Sequence, residues 1–234
     1  MRLPTLTYGT FIRRYKRFLC DVRLDDGTLV TAHVPNTGSM KSTRTPGSRV
    51  ALSHHPAPHR KLEWTLEMVR AERGEWVGVN TMHPNHVVAE AIRNGRIASL
   101  RGYPEIRREV PYGESSRVDL LLLSPRKGRC YVEVKNVTYK AGRFGLFPDA
   151  VTTRGRRHLL ELASRVEQGD RGVIFFLVNR ADCTAMAPAH GIDPAYAETL
   201  WEVVSLGVEA LCYRARLSGE EIRIDRKIPI RDLR

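Results

Sequence analysis

The chain has 234 residues, 42% of them hydrophobic and 27% charged, a composition that excludes a disordered or fibrous protein and suits one large or two small globular domains. Thirty-eight Lys+Arg against 26 Asp+Glu leave a net charge of +12, which points to a polyanionic partner, most simply nucleic acid. The N-terminus has no apolar signal core, the longest apolar run (Val173–Val178) is too short for a bilayer, and Cys20, Cys130, Cys183 and Cys212 form no C-x-x-C pair. These features argue against a membrane partner, a zinc site and a disulfide framework, and for a reducing cytoplasm.

Residues 1–80 read as all-β. Candidate strands are Phe18–Leu24, Leu29–Val34, Arg49–His54, Leu62–Ala71 and Trp76–Val79, separated by turn clusters. Five short strands in about eighty residues fit a small OB-like β-barrel, a fold that often binds nucleic acid. Two stretches here carry candidate binding residues. Arg14, Tyr15, Lys16, Arg17 and Phe18 combine cations with aromatics, suited to phosphate contact plus base stacking, or equally to a solvated edge strand. Asn36, Thr37 and Ser39 lie in a polar loop, P-N-T-G-S-M, able to turn backbone N–H groups toward an anion, although such a motif is more often a plain turn.

From residue 81 the pattern changes to α-β-β-β-α-β-α-β, a mixed α/β (α+β) sheet with flanking helices over residues 81–234. Pro84 opens a helix through Arg93, stopped at Asn94-Gly95. Glu90 lies on it, either a solvated flank residue or the helical acid of a site. Ile106–Val110 reads as a strand, and Tyr112-Gly113 as a turn. A helix opens after Thr152 and runs to about Gln168, with Arg154 and His158 in its basic first turns, placed to hold a phosphate or merely to solvate a surface helix. Val173–Val178 is a buried strand, Asp193-Pro194 caps a helix to about Leu206, and Val208–Leu217 and Glu221–Ile224 close the chain as strands.

Between these, Arg117–Thr138 reads as a β-hairpin about the turn Ser124–Gly128. With Leu123 opposite Arg129, Asp119 falls opposite Glu133, and Glu133 and Lys135 share a face. Charges in a strand this apolar must be paired or bound to a metal. Two carboxylates beside a lysine suit Mg²⁺ or Mn²⁺ and phosphodiester chemistry, and D-x13-E-x-K has the form of the PD-(D/E)xK nuclease core. A partly exposed hairpin with a simple ion pair satisfies the same spacing. Only seven of the 38 basic residues are lysine, so lysine at 135 is an uncommon choice in this chain.

Taken together, R-R-Y-K-R-F-L-C-D-V, A-H-V-P-N-T-G-S-M, W-V-G-V-N-T, E-V-K-N-V-T and F-P-D-A-V-T-T-R-G-R-R-H-L resemble the sugar fermentation stimulation protein A family, from about Tyr8 to Pro229. The resemblance implies an OB-like domain followed by a PD-(D/E)xK nuclease-like domain. It also implies DNA binding and a link to regulation of sugar (maltose) metabolism genes, while the positive charge by itself suits single-stranded DNA, double-stranded DNA and RNA alike. By position it implies a site of Glu90, Asp119, Glu133 and Lys135, with Asp119, Glu133 and Glu90 holding metal and Arg154 and His158 nearby. One departure is Lys41-Ser42-Thr43-Arg44, polar and basic where the family carries an apolar-glycine segment.

Overall fold

A computed structural model of the protein describes residues 1–72, 74–112 and 116–233. The first six strands are β1 (Leu6–Tyr15), β2 (Leu19–Leu24), β3 (Leu29–His33), β4 (Arg49–His54), β5 (Trp64–Arg70) and β6 (Trp76–Gly78). They pair in the order β3-β2-β1-β4-β5-β6, and a short parallel pairing of Ala32 with Trp64 and His33 with Thr65 joins β3 to β5. The first five strands therefore close into an OB-like barrel, filled by Phe11, Val22, Val50, Leu52 and Leu66. The expectation differs by one strand. The ring starts at Leu6, not at Phe18, and Trp76–Gly78 pairs with β5 outside the closure. The segment L-T-Y-G-T-F-I-R-R-Y carries adjacent arginines and a glycine, so its alternation is weak.

The second half contains α1 (Pro84–Arg93), β7 (Glu105–Tyr112), β8 (Ser116–Ser124), β9 (Gly128–Val137), β10 (Tyr139–Ala141), β11 (Phe144–Phe147), α2 (Thr153–Glu167), β12 (Arg171–Val178), β13 (Ala185–Pro188), α3 (Pro194–Ser205), β14 (Glu209–Leu217) and β15 (Ile222–Lys227). A mixed sheet runs β15-β14-β12-β9-β8-β7, parallel where β12 meets β9 and β14, antiparallel elsewhere. The apolar stripe Val87, Val88, Ala91 and Ile92 of α1 packs on one face, with Leu120, Leu122, Val132 and Phe175. Leu159 and Leu162 of α2 and Leu200 and Val203 of α3 cover the other, with Leu121, Ile174 and Phe176. The small sheet β10-β11-β13 has no counterpart in the sequence reading. Tyr112 ends β7; the Gly113 of the expected turn lies outside the described residues. Among the described residues no helix is long and apolar enough to cross a membrane.

The halves meet along β6. The backbone of Gly78 exchanges hydrogen bonds with Asn179, its N–H donating to the Asn179 carbonyl (2.9 Å) and its carbonyl accepting from Asn179 Nδ2 (3.1 Å). A Cβ on Gly78 would stand 2.4 Å from that side chain, so only glycine permits the approach. Beside it, buried Glu67 of β5 receives Ser53 Oγ (2.6 Å) and Asn80 Nδ2 (2.8 Å) and contacts His83 Nε2 at 2.6 Å, just before α1.

Candidate functional site

The hairpin forms in the expected register. The β8–β9 ladder runs from Ser124 opposite Gly128, through Leu123 opposite Arg129, to Leu120 opposite Val132, and ends there. The reason lies one residue on. Strict alternation would put Val118 and Leu120 on one face, yet Leu120 packs on the α1 side and Val118 on the α2/α3 side. The strand thus switches faces at Asp119, an irregularity of the kind that re-aims side chains. Instead of a ladder bond, Asp119 Oδ2 accepts the Val134 N–H at 2.7 Å, and Oδ1 accepts Asn85 Nδ2 at 2.8 Å. Burial first, and then the charge of Glu133, push the Asp119 carboxyl up to about 6.

Glu133 is 2% exposed. Its Oε1 is shared by Lys135 Nζ at 2.7 Å and by His158 Nδ1 in a very short contact. Burial opposes its ionisation, but the Lys135 charge and the His158 hydrogen bond outweigh burial and hold its pKa below the ordinary carboxylate value. Its Oε2 is buried with no hydrogen-bond partner. His158 is itself 3% exposed and its Nε2 accepts from Arg154 Nε at 3.3 Å. With Nε2 accepting, Nδ1 is the nitrogen that donates to Glu133. The start of α2 that carries both residues is pinned twice. Thr152 Oγ1 caps Gly155 N–H (3.0 Å), and the Thr152 N–H donates to Asp193 (2.8 Å), which also caps Tyr196 at the start of α3 (3.0 Å). His158 is thus a positioning residue for Glu133 and is closed to a phosphate, contrary to the reading of it as a nucleic-acid contact. Arg154 is exposed at the cleft and keeps that capacity.

Glu90 is not part of this cluster. It is half exposed, and its Oε1 accepts from the N-terminal ammonium of Met1 at 2.8 Å. The residue of α1 that reaches Asp119 is Asn85, and five residues at about 100° each leave Glu90 about 140° around the helix from it. Asn85 and Glu109 were missed in the sequence: Asn85 Nδ2 donates to Glu109 Oε1 at 3.0 Å as well as to Asp119. Asn85 follows Pro84 in the first turn of α1, where a side chain faces whatever the helix start faces, and that was the available signal.

Asp119, Glu133, Lys135, Asn85, Arg154 and His158 line one cleft of about 420 Å³, and Asn36, Thr37 and Gly38 of the barrel form its opposite wall. Asp149, after β11, clamps that wall by accepting from Ser39 Oγ (3.1 Å) and the Met40 N–H (3.0 Å). Gly38 is the contact point, since a Cβ there would lie 2.7 Å from the Asp149 carboxylate. Ser39 is therefore spent on the clamp. Asn36 is buried, donating to the Val79 carbonyl (2.9 Å) and accepting from Gly38 N–H (2.8 Å), whereas Thr37 is exposed at the cleft. Arg14 is spent as well, its guanidinium donating to the carbonyls of Arg17 (2.8 Å), Asn36 (2.7 Å) and Gly38 (3.0 Å). Tyr15 donates to Asp21 (3.0 Å). Lys16, Arg17 and Phe18 are exposed at the β1–β2 turn, both cations with positive φ (46° and 62°), so this tip alone keeps the expected cation-plus-aromatic surface. In the divergent Lys41–Arg44 stretch, Ser42 Oγ donates to the Thr138 carbonyl (3.3 Å) and ties the loop to the second half.

The buried, unpartnered Glu133 Oε2 and the two Asp119 oxygens are hard oxygen donors of the kind Mg²⁺, Mn²⁺ or Ca²⁺ takes, so the residues present fit a divalent cation. Among the described residues, no group of three or more His, Cys, Asp or Glu gathers closely enough to hold an ion unaided. A cation here would complete its shell with water.

Family models match both halves: the SfsA N-terminal OB domain over residues 12–79 and the sugar fermentation stimulation protein RE domain over residues 82–221. Proteins named sugar fermentation stimulation protein homolog are 58% identical in Geobacter sulfurreducens, over 98% of each chain, and 54% identical in Paramagnetospirillum magneticum, over 93% of this chain and 92% of that one. A solved structure, that of Pyrococcus furiosus SfsA in complex with Ca²⁺, superposes with a TM-score of 0.89 at 27% identity, covering 99% of this chain and 98% of that one. With both halves and nearly the full length matched, the chain belongs to the sugar fermentation stimulation protein (SfsA) family.

Proposed function

We propose that the protein binds DNA across the cleft between barrel and mixed sheet, and that Asp119 and Glu133 hold a divalent cation there, Mg²⁺ or Mn²⁺, for hydrolysis of a phosphodiester. The observation that carries this reading is Glu133: a buried carboxylate kept ionised by Lys135 and His158, with one oxygen unpartnered in a cleft lined by Asp119. The excess of twelve positive charges suits the polyanion. The Ca²⁺ of the Pyrococcus furiosus relative is a cation of the same oxygen-seeking class.

The cation, when bound, polarises a phosphoryl oxygen and eases deprotonation of water. The chain's own groups do the rest. Lys135 Nζ, anchored on Glu133, presents positive charge to an attacking water or to the developing phosphorane. His158 holds Glu133 in one rotamer, so that Oε2 is left for the ion. Arg154 and Thr37, on opposite walls, are placed to hold the backbone in register. Four buried, unpaired cysteines suit a reducing cytoplasm.

A second reading is favoured by the small number of closely gathered ligands: a DNA-binding protein, tied to regulation of sugar (maltose) metabolism genes, whose nuclease-like site binds without cutting. Incubation of the protein with end-labelled single- and double-stranded DNA and RNA, in Mg²⁺, Mn²⁺ or chelator, separates the two. Metal-dependent cleavage, reduced about 100-fold or more by Lys135→Ala and abolished by Asp119→Ala, is expected. Tight, salt-sensitive binding with no cleavage in either metal would leave the regulatory reading, and no binding at all would remove both.

A further inference from the structure

Glu109 lies within β7, opposite the point where β8 switches faces, and has a φ of +53°. A glutamate rarely adopts that left-handed conformation, because its Cβ crowds the backbone there. Glu109 is exposed, so burial does not impose it. What the conformation accompanies is a contact: Asn85 Nδ2 donates at once to Glu109 Oε1 (3.0 Å) and to Asp119 Oδ1 (2.8 Å). One amide, with two N–H groups, thus bridges two carboxylates that would otherwise repel. A separate observation marks the place as a ligand site. Glu133, 2% exposed and lining the same cleft as Asn85 and Asp119, has an oxygen with no hydrogen-bond partner.

We propose that Glu109 is an outer carboxylate of the cation site, orienting Asp119 through Asn85 and adding negative charge behind it. It takes the part for which the helix residue Glu90 is wrongly placed. This rests on the reading of Asp119 and Glu133 as a cation site. An outer position agrees with the lack of three closely gathered ligands among the described residues. It also agrees with the habit of Mg²⁺ and its analogues of keeping several waters, which makes charge beyond the direct ligands count toward affinity.

The test is titration calorimetry of the full chain with Mn²⁺ and with Ca²⁺, alongside melting in chelator. The variants are Glu109→Gln, Glu109→Asp, Glu109→Gly, Asp119→Ala and Glu90→Gln. Glu109→Gln is expected to weaken Mn²⁺ about tenfold with an unchanged melting temperature in chelator, and Glu109→Asp to recover most of the loss. Glu109→Gly, which frees the left-handed backbone, is expected to melt no lower than wild type yet to bind the ion as weakly as Glu109→Gln. Glu90→Gln is expected to bind as wild type does. If Glu109→Gln binds both ions as wild type does while Asp119→Ala loses them, the role of Glu109 is overturned and the cation site stands. Loss of affinity matched by loss of melting temperature in every Glu109 variant would reduce it to a structural residue. Undiminished binding in Asp119→Ala would overturn the cation site itself.

Discussion

At Glu133 a charge sits where burial opposes it. A carboxylate buried this deeply is tolerable only if its charge is met, and Lys135 and His158 meet it on one oxygen alone. Removing the imidazole leaves the charge with Lys135 only. His158→Ala is expected to lower the unfolding free energy in chelator by about 2 kcal/mol, the scale of a buried hydrogen bond to a charged group. Equilibrium denaturant unfolding measures this, and an unchanged midpoint would mean that the imidazole does not hold the carboxylate. The pair Glu133–Lys135 was legible from the sequence, because i and i+2 in a strand share a face whatever the fold. His158 could be placed on its helix but not given its partner, because the contact joins residues 25 apart on different elements.

At the scale of elements, the hairpin illustrates local readability. Its turn residues and apolar runs set the register from Ser124–Gly128 to Leu120–Val132. The switch of faces at Asp119 and the left-handed Glu109 beside it carry no local signature, since neither involves glycine or proline. The segment after β12 offers a pH prediction. Asp182 is partly buried, which alone would raise its pKa, but the Arg180 fork at 2.6 and 2.8 Å and Lys140 at 3.1 Å outweigh that and hold it down at about 2. Arg180 also donates to the Thr138 carbonyl (2.8 Å), so this cluster joins the end of β12 to the start of β10. A carboxylate depressed in the folded state stabilises above its unfolded pKa, near 4, and that contribution is lost as pH falls through the folded value. Wild type is therefore expected to lose stability between about pH 4 and pH 2 more steeply than Asp182→Asn. Parallel melting curves of the two across that window would show that the cluster contributes nothing.

For the molecule as a whole, charge and shape act together. The barrel and the mixed sheet share the cleft, and the exposed tip of Lys16, Arg17 and Phe18 belongs to the barrel half. DNA affinity is expected to fall steeply with salt, and the slope of log K against log salt to shrink by about 1 for each of Lys16→Ala and Arg17→Ala, if each meets one phosphate. An unchanged slope in the double variant would confine DNA to the cleft. By itself, the sequence determined the two-part order of barrel and mixed sheet, the helix bounds, the hairpin register and the Asp119–Glu133–Lys135 grouping. All of these follow from near-neighbour spacing, turn chemistry and the summed charge of the chain. Tertiary structure alone decided that β1 closes the barrel, that Arg14 and Ser39 are consumed in holding a loop, that Asn85 rather than Glu90 is the α1 residue that meets Asp119, and that His158 faces inward. Those outcomes depend on which side of a helix meets a sheet, and on which donors remain free once buried acceptors are satisfied. Spacing along the chain records neither.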